Sequence, residues 1–332
     1  MTAGAGFREE GVLFGPPDVS VVIPTRNRRE LLLRAIRSCV DQGPLPDVEV
    51  IVVDDGCTDG SVEAVQSEFP QVVLLTDRPT GNRNRARNDG LSRARGRYVQ
   101  FLDDDDWLEA GALRDEVRLA DATGADIVAG GHRVAGPEVP EQVWMPPVFE
   151  PQIDCLLQGA AVPTGAALYR REAVISHRWE EQSHKLDDWR YFVQVAMCHP
   201  RVVRLERVVY TWYSHPGQGT RKETLLDNAK AFYEILDEVE GSLMDRDLLT
   251  HRRRLRLAQY RYKELRVLCL HDRDAFESEV LRILDLDPDF RPVDEEGQRW
   301  MRWLGRWIGF RRATLLHTWV KRRVKGSPGG PG

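Results

Sequence analysis

Short apolar runs alternate with amphipathic stretches through the first two fifths of the chain. Val19-Ser20-Val21-Val22-Ile23, residues 48–53, 71–75, 97–102 and 126–129 are each dense in Val, Ile, Leu or Phe and end at a polar or Gly-bearing turn. Between them, Leu32, Ile36, Cys39 and Val40 recur at helical spacing, as do Val62, Val65 and Phe69, and later Leu113 and Val117. Nearly continuous apolar strands alternating with helices predict an α/β fold, its central sheet mainly parallel and covered by helices on both faces. Asn27 is placed to cap the first helix, with Glu30 at the capping-box position, and Thr58 and Asp59 the second. A short helix is expected over 86–94 and a further strand over 201–210. From residue 223 the period turns helical throughout (Leu225, Ala229, Phe232, Leu236, then Leu255, Tyr260, Leu265, Leu268), which predicts a helical appendage.

The ends of the strands carry the chemistry. The first finishes at Pro24-Thr25, the second at Asp54-Asp55-Gly56, and the strand over 97–102 runs directly into Asp103-Asp104-Asp105-Asp106. Ligands of open α/β sheets bind outside the carboxyl ends of the strands, so these three features are expected at one edge. Four adjacent carboxylates repel one another, and a divalent cation with oxygen ligands would offset that cost. The alternative is a solvated acidic turn that caps the next helix. No G-x-G-x-x-G follows the first strand and no G-x-x-x-x-G-K-[ST] occurs, so dinucleotide-fold and P-loop readings lack their phosphate-binding turn.

At 332 residues the chain suits one large domain plus an appendage. Its net charge of -5 gives no case for nucleic acid. Cys39, Cys57, Cys155, Cys198 and Cys269 are odd in number and form no metal-ligand spacing, which fits a reducing cytoplasm rather than a disulfide scaffold. No secretory signal or membrane span is visible.

Taken together, Val21-Val22-Ile23-Pro24-Thr25-Arg26-Asn27-Arg28, Val52 to Ser61, Ala86-Arg87-Asn88-Asp89-Gly90 and Phe101 to Leu108 resemble family 2 glycosyltransferases of the GT-A fold. The resemblance is firm over residues 19–131, weaker to 215 and absent beyond. It implies a nucleotide-diphosphate sugar donor, Mn2+ or Mg2+ held by an Asp-x-Asp motif, and transfer with inversion to a hydroxyl of a glycan, lipid-linked or small-molecule acceptor. On that resemblance Asp55 binds the base, Pro24 and Thr25 line its pocket, and Arg26 stands where the family often has Tyr. Arg83 and Arg87 are candidates for the base or diphosphate, Asp104 for the ribose, and Asp103 and Asp105 for the metal. Leu186-Asp187-Asp188-Trp189 resembles the family's Glu-Asp motif, which makes Asp188 the general base and Asp187 its neighbour. The bland reading is two acids favoured by a helix N-terminus. His215, in a Gly-rich segment that could close over the donor, is a candidate for the metal or a phosphate, packing being the alternative.

The expected organisation is a lead-in over 1–17, a catalytic domain over 18–222 (nucleotide-sugar half 18–131, acceptor half 132–222), the appendage over 223–290 and a basic segment over 291–332. In the last, Trp300, Trp303, Leu304, Trp307 and Phe310 follow helical spacing, and nine Lys/Arg with no acid lie between Arg299 and Lys325. Such a segment suits an anionic membrane surface; packing on the protein or on a second copy in a homodimer is the competing reading. The expectation is a cytoplasmic, membrane-peripheral enzyme of cell-surface or lipid-linked glycan synthesis. A nucleotidyltransferase of related fold and a non-catalytic nucleotide- or sugar-binding partner are the rivals.

Overall fold

The computed structural model describes residues 16–43, 46–76, 81–149, 152–157, 162–182, 185–198, 201–216 and 225–291. The lead-in and the Trp/Arg segment after residue 291 lie outside these. Val19–Thr25 (β1), Arg29–Val40 (α1), Val48–Asp54 (β2), Ser61–Glu68 (α2), Val73–Leu75 (β3), Arg83–Arg93 (α3) and Tyr98–Phe101 (β4) follow the predicted alternation. Then come Trp107–Leu108 (β5), Ala112–Thr123 (α4), Ile127–Ala135 (β6), Gln142–Trp144 (β7), Gln152–Leu156 (α5), a 3-10 turn at Thr164–Ala166 and Ala167–Arg170 (β8). Arg171–Val174 (α6), Asp187–Cys198 (α7) and Val202–Tyr213 (β9) complete the part built on the sheet.

Among the described residues nine strands form one sheet, in the order β3-β2-β1-β4-β8-β6-β9-β5 with β7 on β6. The pairs from β3 to β4 are parallel, as the apolar runs predict. Beyond β4 the sheet is mixed: β8 is antiparallel to β4 and β6, β6 and β9 are parallel, and β5 is antiparallel to β9. The expected parallel pairing therefore holds throughout the first half and returns at β6–β9, with antiparallel pairs between and beyond. Every residue of β1 is buried, because helices cover both faces. Gly90 explains the glycine of the Asn-Asp-Gly motif: a Cβ there would stand 2.3 Å from Val22 Cγ1, so α3 could not approach β1.

The capping differs from expectation. Asn27 takes a positive φ of 54° and accepts from Thr58 N at 2.7 Å instead of capping α1. Asp59 serves both helices, accepting from Arg29 N through Oδ2 and from Ser61 N through Oδ1. The two turns that carry the first two motifs are thereby pinned to each other.

Leu225–Asp245 (α8), His251–Tyr262 (α9), Leu265–His271 (α10) and Arg273–Leu286 (α11) form the appendage. Trp189 of α7 stacks on Phe232 at 5.5 Å and meets Tyr260 edge-on. Arg253 of α9 reaches Asp154 of α5, and Arg256 joins it. No helix among the described residues is long and apolar enough to cross a membrane. At the centre of the appendage Arg261 is fully buried and pairs with Asp237, with Glu240 at 2.8 Å and with Glu279 at 2.8 Å. Removing one partner of a buried ion pair leaves uncompensated charge. Arg261→Met is therefore expected to lower unfolding free energy by about 3–5 kcal/mol, read from the urea midpoint.

Candidate active site

The three predicted strand ends do converge. Thr25 lies in register with Asp54, and Leu102 N donates to Val22 O, so β4 delivers its acids beside the end of β1. Asp54 closes its own turn, accepting from Cys57 N at 2.7 Å, and Asp55 accepts from Gly81 N at 2.6 Å. The Arg26 guanidinium approaches Gly81. Arg26 and Asp55 thus meet at Gly81, and Thr25 O accepts from Asp55 N at 2.9 Å beside them. The Cys57 thiol is pushed up to about 11, mainly by burial, which keeps it in the protonated, weakly nucleophilic form at neutral pH.

Each acid of the run has its own partners. Asp103 accepts from Arg87 at 2.5 Å. Asp104 accepts from Thr25 Oγ1 at 2.9 Å, from Arg26 N and from Arg28 at 2.8 Å. Asp105 accepts from Arg28 at 2.7 Å, and His215 Nε2 lies 3.1 Å from the same Oδ2. Asp106, the last acid of the turn that on the alternative reading caps the next helix, takes the Tyr210 hydroxyl and Tyr213 N. That ties the acidic loop to β9, and the close fit leaves no room for a Cβ at Gly165, which would stand 2.2 Å from the Tyr210 ring. Burial pushes Asp104 up to about 6 against the pull of Arg28, with Asp105 adding to the rise. Burial, then Asp105 and Asp103, push Asp106 well above the ordinary carboxylate range.

Oxygens of Asp103, Asp105 and Asp106 all lie within 4.8 Å of one another. Hard carboxylate donors at this spacing, with one imidazole alongside, fit a divalent ion such as Mn2+ or Mg2+. The sequence reading named Asp103, Asp105 and His215; the structure brings all three together and adds Asp106.

A second acidic pair faces this one. Leu186, with a positive φ of 50°, turns the chain so that Asp187 and Asp188 open α7. A non-glycine residue held there is strained, and such strain gathers at functional sites. Arg83 forks onto Asp187 with both contacts at 2.9 Å. Arg87 reaches Asp187 at 3.3 Å while holding Asp103, and its guanidinium lies 4.3 Å over the Trp179 ring. Arg87, a candidate for the nucleotide, therefore sits between the two acidic motifs, and Arg83 lies on Asp187. Burial would raise Asp187, but Arg87 and then Arg83 outweigh it and hold it below the usual range. Asp188 goes the other way: burial, then Asp187, raise it to about 6. Two adjacent carboxyls driven apart are the signature of divided roles.

Sequence reasoning assigned nothing to Arg28, although it stood inside a quoted motif. It also missed Arg34, whose guanidinium lies 4.2 Å from the Trp107 ring and 4.4 Å from Tyr213, and which donates to Asp105 O. Residues so far apart in the chain leave no local signal.

Comparison with known proteins gives a family and a fold. The profile described as "Glycosyl transferase family 2" matches residues 20–178. A GalNAc(5)-diNAcBac-PP-undecaprenol beta-1,3-glucosyltransferase of Campylobacter jejuni is 39% identical over 105 residues, 29% of this chain and 32% of that protein. The succinoglycan biosynthesis protein ExoO of Rhizobium meliloti is 40% identical over 113 residues, 33% of this chain and 32% of that protein. The matched stretch thus spans about a third of these relatives. Among solved structures, residues 1–349 of Staphylococcus aureus TarS in complex with UDP superpose with a TM-score of 0.64 at 17% identity, covering 93% of this chain and 92% of that one. That likeness is one of fold.

Arg87 is 3% exposed and bridges both acidic motifs, so replacing it leaves two carboxylates short of charge. Arg87→Met is expected to cost about 3 kcal/mol or more in a denaturant titration. The Asp187 carboxyl should titrate at higher pH, as followed by carboxyl 13C NMR.

Proposed function

Given that this chain belongs to glycosyl transferase family 2 through residues 20–178, with the GT-A-type α/β fold shared with TarS, we propose that it is a metal-dependent, inverting glycosyltransferase. It takes a nucleotide-diphosphate sugar and an acceptor hydroxyl, and it serves in the synthesis of a cell-surface or lipid-linked glycan, as two named relatives do by their descriptions. The observation that carries this reading is the meeting of the acidic run with the Asp187–Asp188 pair through one guanidinium, Arg87, which holds Asp103 on one side and Asp187 on the other.

Asp55, Pro24, Thr25 and Arg26 receive the base, and Asp104 the ribose. Asp103, Asp105 and His215 would hold the divalent ion, which would supply positive charge to offset that of a departing diphosphate. Arg83 and Arg87 add to the positive potential on the same side while orienting Asp187. Asp188 accepts the proton of the acceptor hydroxyl as its oxygen bonds to the anomeric carbon. The bond from that carbon to the diphosphate oxygen breaks on the opposite face, which inverts the centre. Asp188 suits a base near neutral pH, since burial has raised its affinity for protons. No protein nucleophile takes part.

Asp188→Asn should reduce transfer by about 10²-fold or more with nucleotide binding unchanged. Transfer near the wild-type rate would remove Asp188 as base. Because Asp188 acts as the carboxylate, kcat/KM should rise with pH through about 6 and then level. The donor class is read by thermal shift with UDP, GDP, CDP and dTDP, each with and without Mn2+. One diphosphate is expected to stabilise the chain only with metal, by mass action; no response from any of the four would count against the transferase reading.

A further inference from the structure

A divalent ion approaching Asp105 meets an oxygen already in use. Asp105 Oδ2 accepts from Arg28 Nη1 at 2.7 Å and lies 3.1 Å from His215 Nε2. The Arg28 contact is a charge-assisted hydrogen bond, and the imidazole stands against the same atom, so an incoming cation competes for an oxygen that a guanidinium already holds. The same Nη1 is 2.8 Å from Asp104 Oδ1, so a single guanidinium holds two neighbouring acids.

The two arginines of the acidic run differ in how firmly they are fixed. Arg87 is 3% exposed and is gripped by Asn84, Asp187 and the Trp179 ring besides Asp103. Arg28 is 27% exposed at its side chain, and its side-chain hydrogen-bond partners among the described residues are Asp104 and Asp105. It follows the left-handed turn at Asn27 and can move on its own stem without disturbing the sheet.

We propose that Arg28 is an exchangeable internal counter-ion: its guanidinium holds Asp105 in the absence of metal and withdraws when a divalent ion binds there. The proposal rests on the reading of Asp103, Asp105 and His215 as the metal-holding group. Two cations sharing one carboxylate oxygen repel each other, so occupancy by one disfavours the other. Arg87 stays with Asp103 throughout, and Asp104 keeps Thr25 as a partner. The device keeps the acidic loop in shape before metal arrives, at the cost of a weaker apparent metal affinity, since only the fraction of molecules with Arg28 withdrawn is competent.

The test is Mn2+ binding to the full chain by calorimetry. Arg28→Gln removes the competing charge and should bind Mn2+ about tenfold or more tightly, the scale of one close charge pair. Mn2+ should also raise its melting temperature more than that of the wild type. Arg28→Lys keeps the charge and should stay within a few-fold of wild type. Unchanged or weaker binding by a folded Gln variant, or no binding by either protein, overturns the proposal. Should the Gln variant fail to fold, the wild type decides by side-chain NMR, with the Arg28 guanidinium assigned through the Lys variant. Its slowly exchanging signal should be lost as Mg2+ saturates the site, and a signal that persists overturns the proposal. These readouts follow metal and not sugar transfer. An inactive chain that shows the exchange would fault the transferase reading alone.

Discussion

Four carboxylates in succession at the end of a buried strand can coexist only because distant parts of the chain bring partners to them. Arg28 comes from the turn after β1, Arg87 from α3, His215 from the segment after β9, and Tyr210 and Tyr213 from β9 itself. Repulsion among the acids and their loss of water both disfavour the charged state, and together they push Asp106, 1% exposed, well above the ordinary carboxylate range. Tyr210 and Tyr213 answer that acid with hydrogen bonds, and the arginines answer its neighbours with charge. The loop is therefore a hub. Its shape depends on β1, α1, α3 and β9 being correctly placed, and each of those is held in turn by the hub.

Arg87 extends the same logic across the cleft. It touches Asp103 on one side and Asp187 on the other, so the end of β4 and the start of α7 share one cation. The consequence is chemical as well as structural. With Arg83 and Arg87 beside it, Asp187 stays ionised, while its neighbour Asp188, lacking such a fork and losing water, binds protons more readily. Adjacent residues of the same type thus acquire different characters from their surroundings, which is how a fold obtains both an electrostatic support and a base from two aspartates.

The appendage belongs to this account through α7. Its helices grip the residues just after the acidic pair: Trp189 against Phe232 and Tyr260, and Arg190 against Glu234 and Glu238. One hydrophobic cluster runs from Val19 of the sheet to Phe290 at the end of the helices. Asp187 and Asp188 are thereby seated between the Arg83–Arg87 pair and a packed aromatic layer, so their geometry is set from both sides.

Local pattern made much of this legible. Apolar runs and helical spacing are properties of neighbouring residues, so the alternation of β1 to β4 with α1 to α3 and the helical character after residue 223 could be read directly. The rule that ligands bind at strand ends then put Thr25, Asp55 and the acidic run on one edge. Cap assignments fared less well: Asn27 and Asp106 have the chemistry of helix caps, yet each is used by a partner far along the chain, Thr58 for one and β9 for the other. The mixed half of the sheet was hidden for a similar reason, since an apolar strand does not record the direction of the strand it will pair with. Sequence by itself determined which residue types stand at the ends of the strands. Only the tertiary structure decided which cation meets which acid, because electrostatic pairing depends on distance in space, and separations such as that of Arg87 from Asp187 leave no periodic trace along the chain.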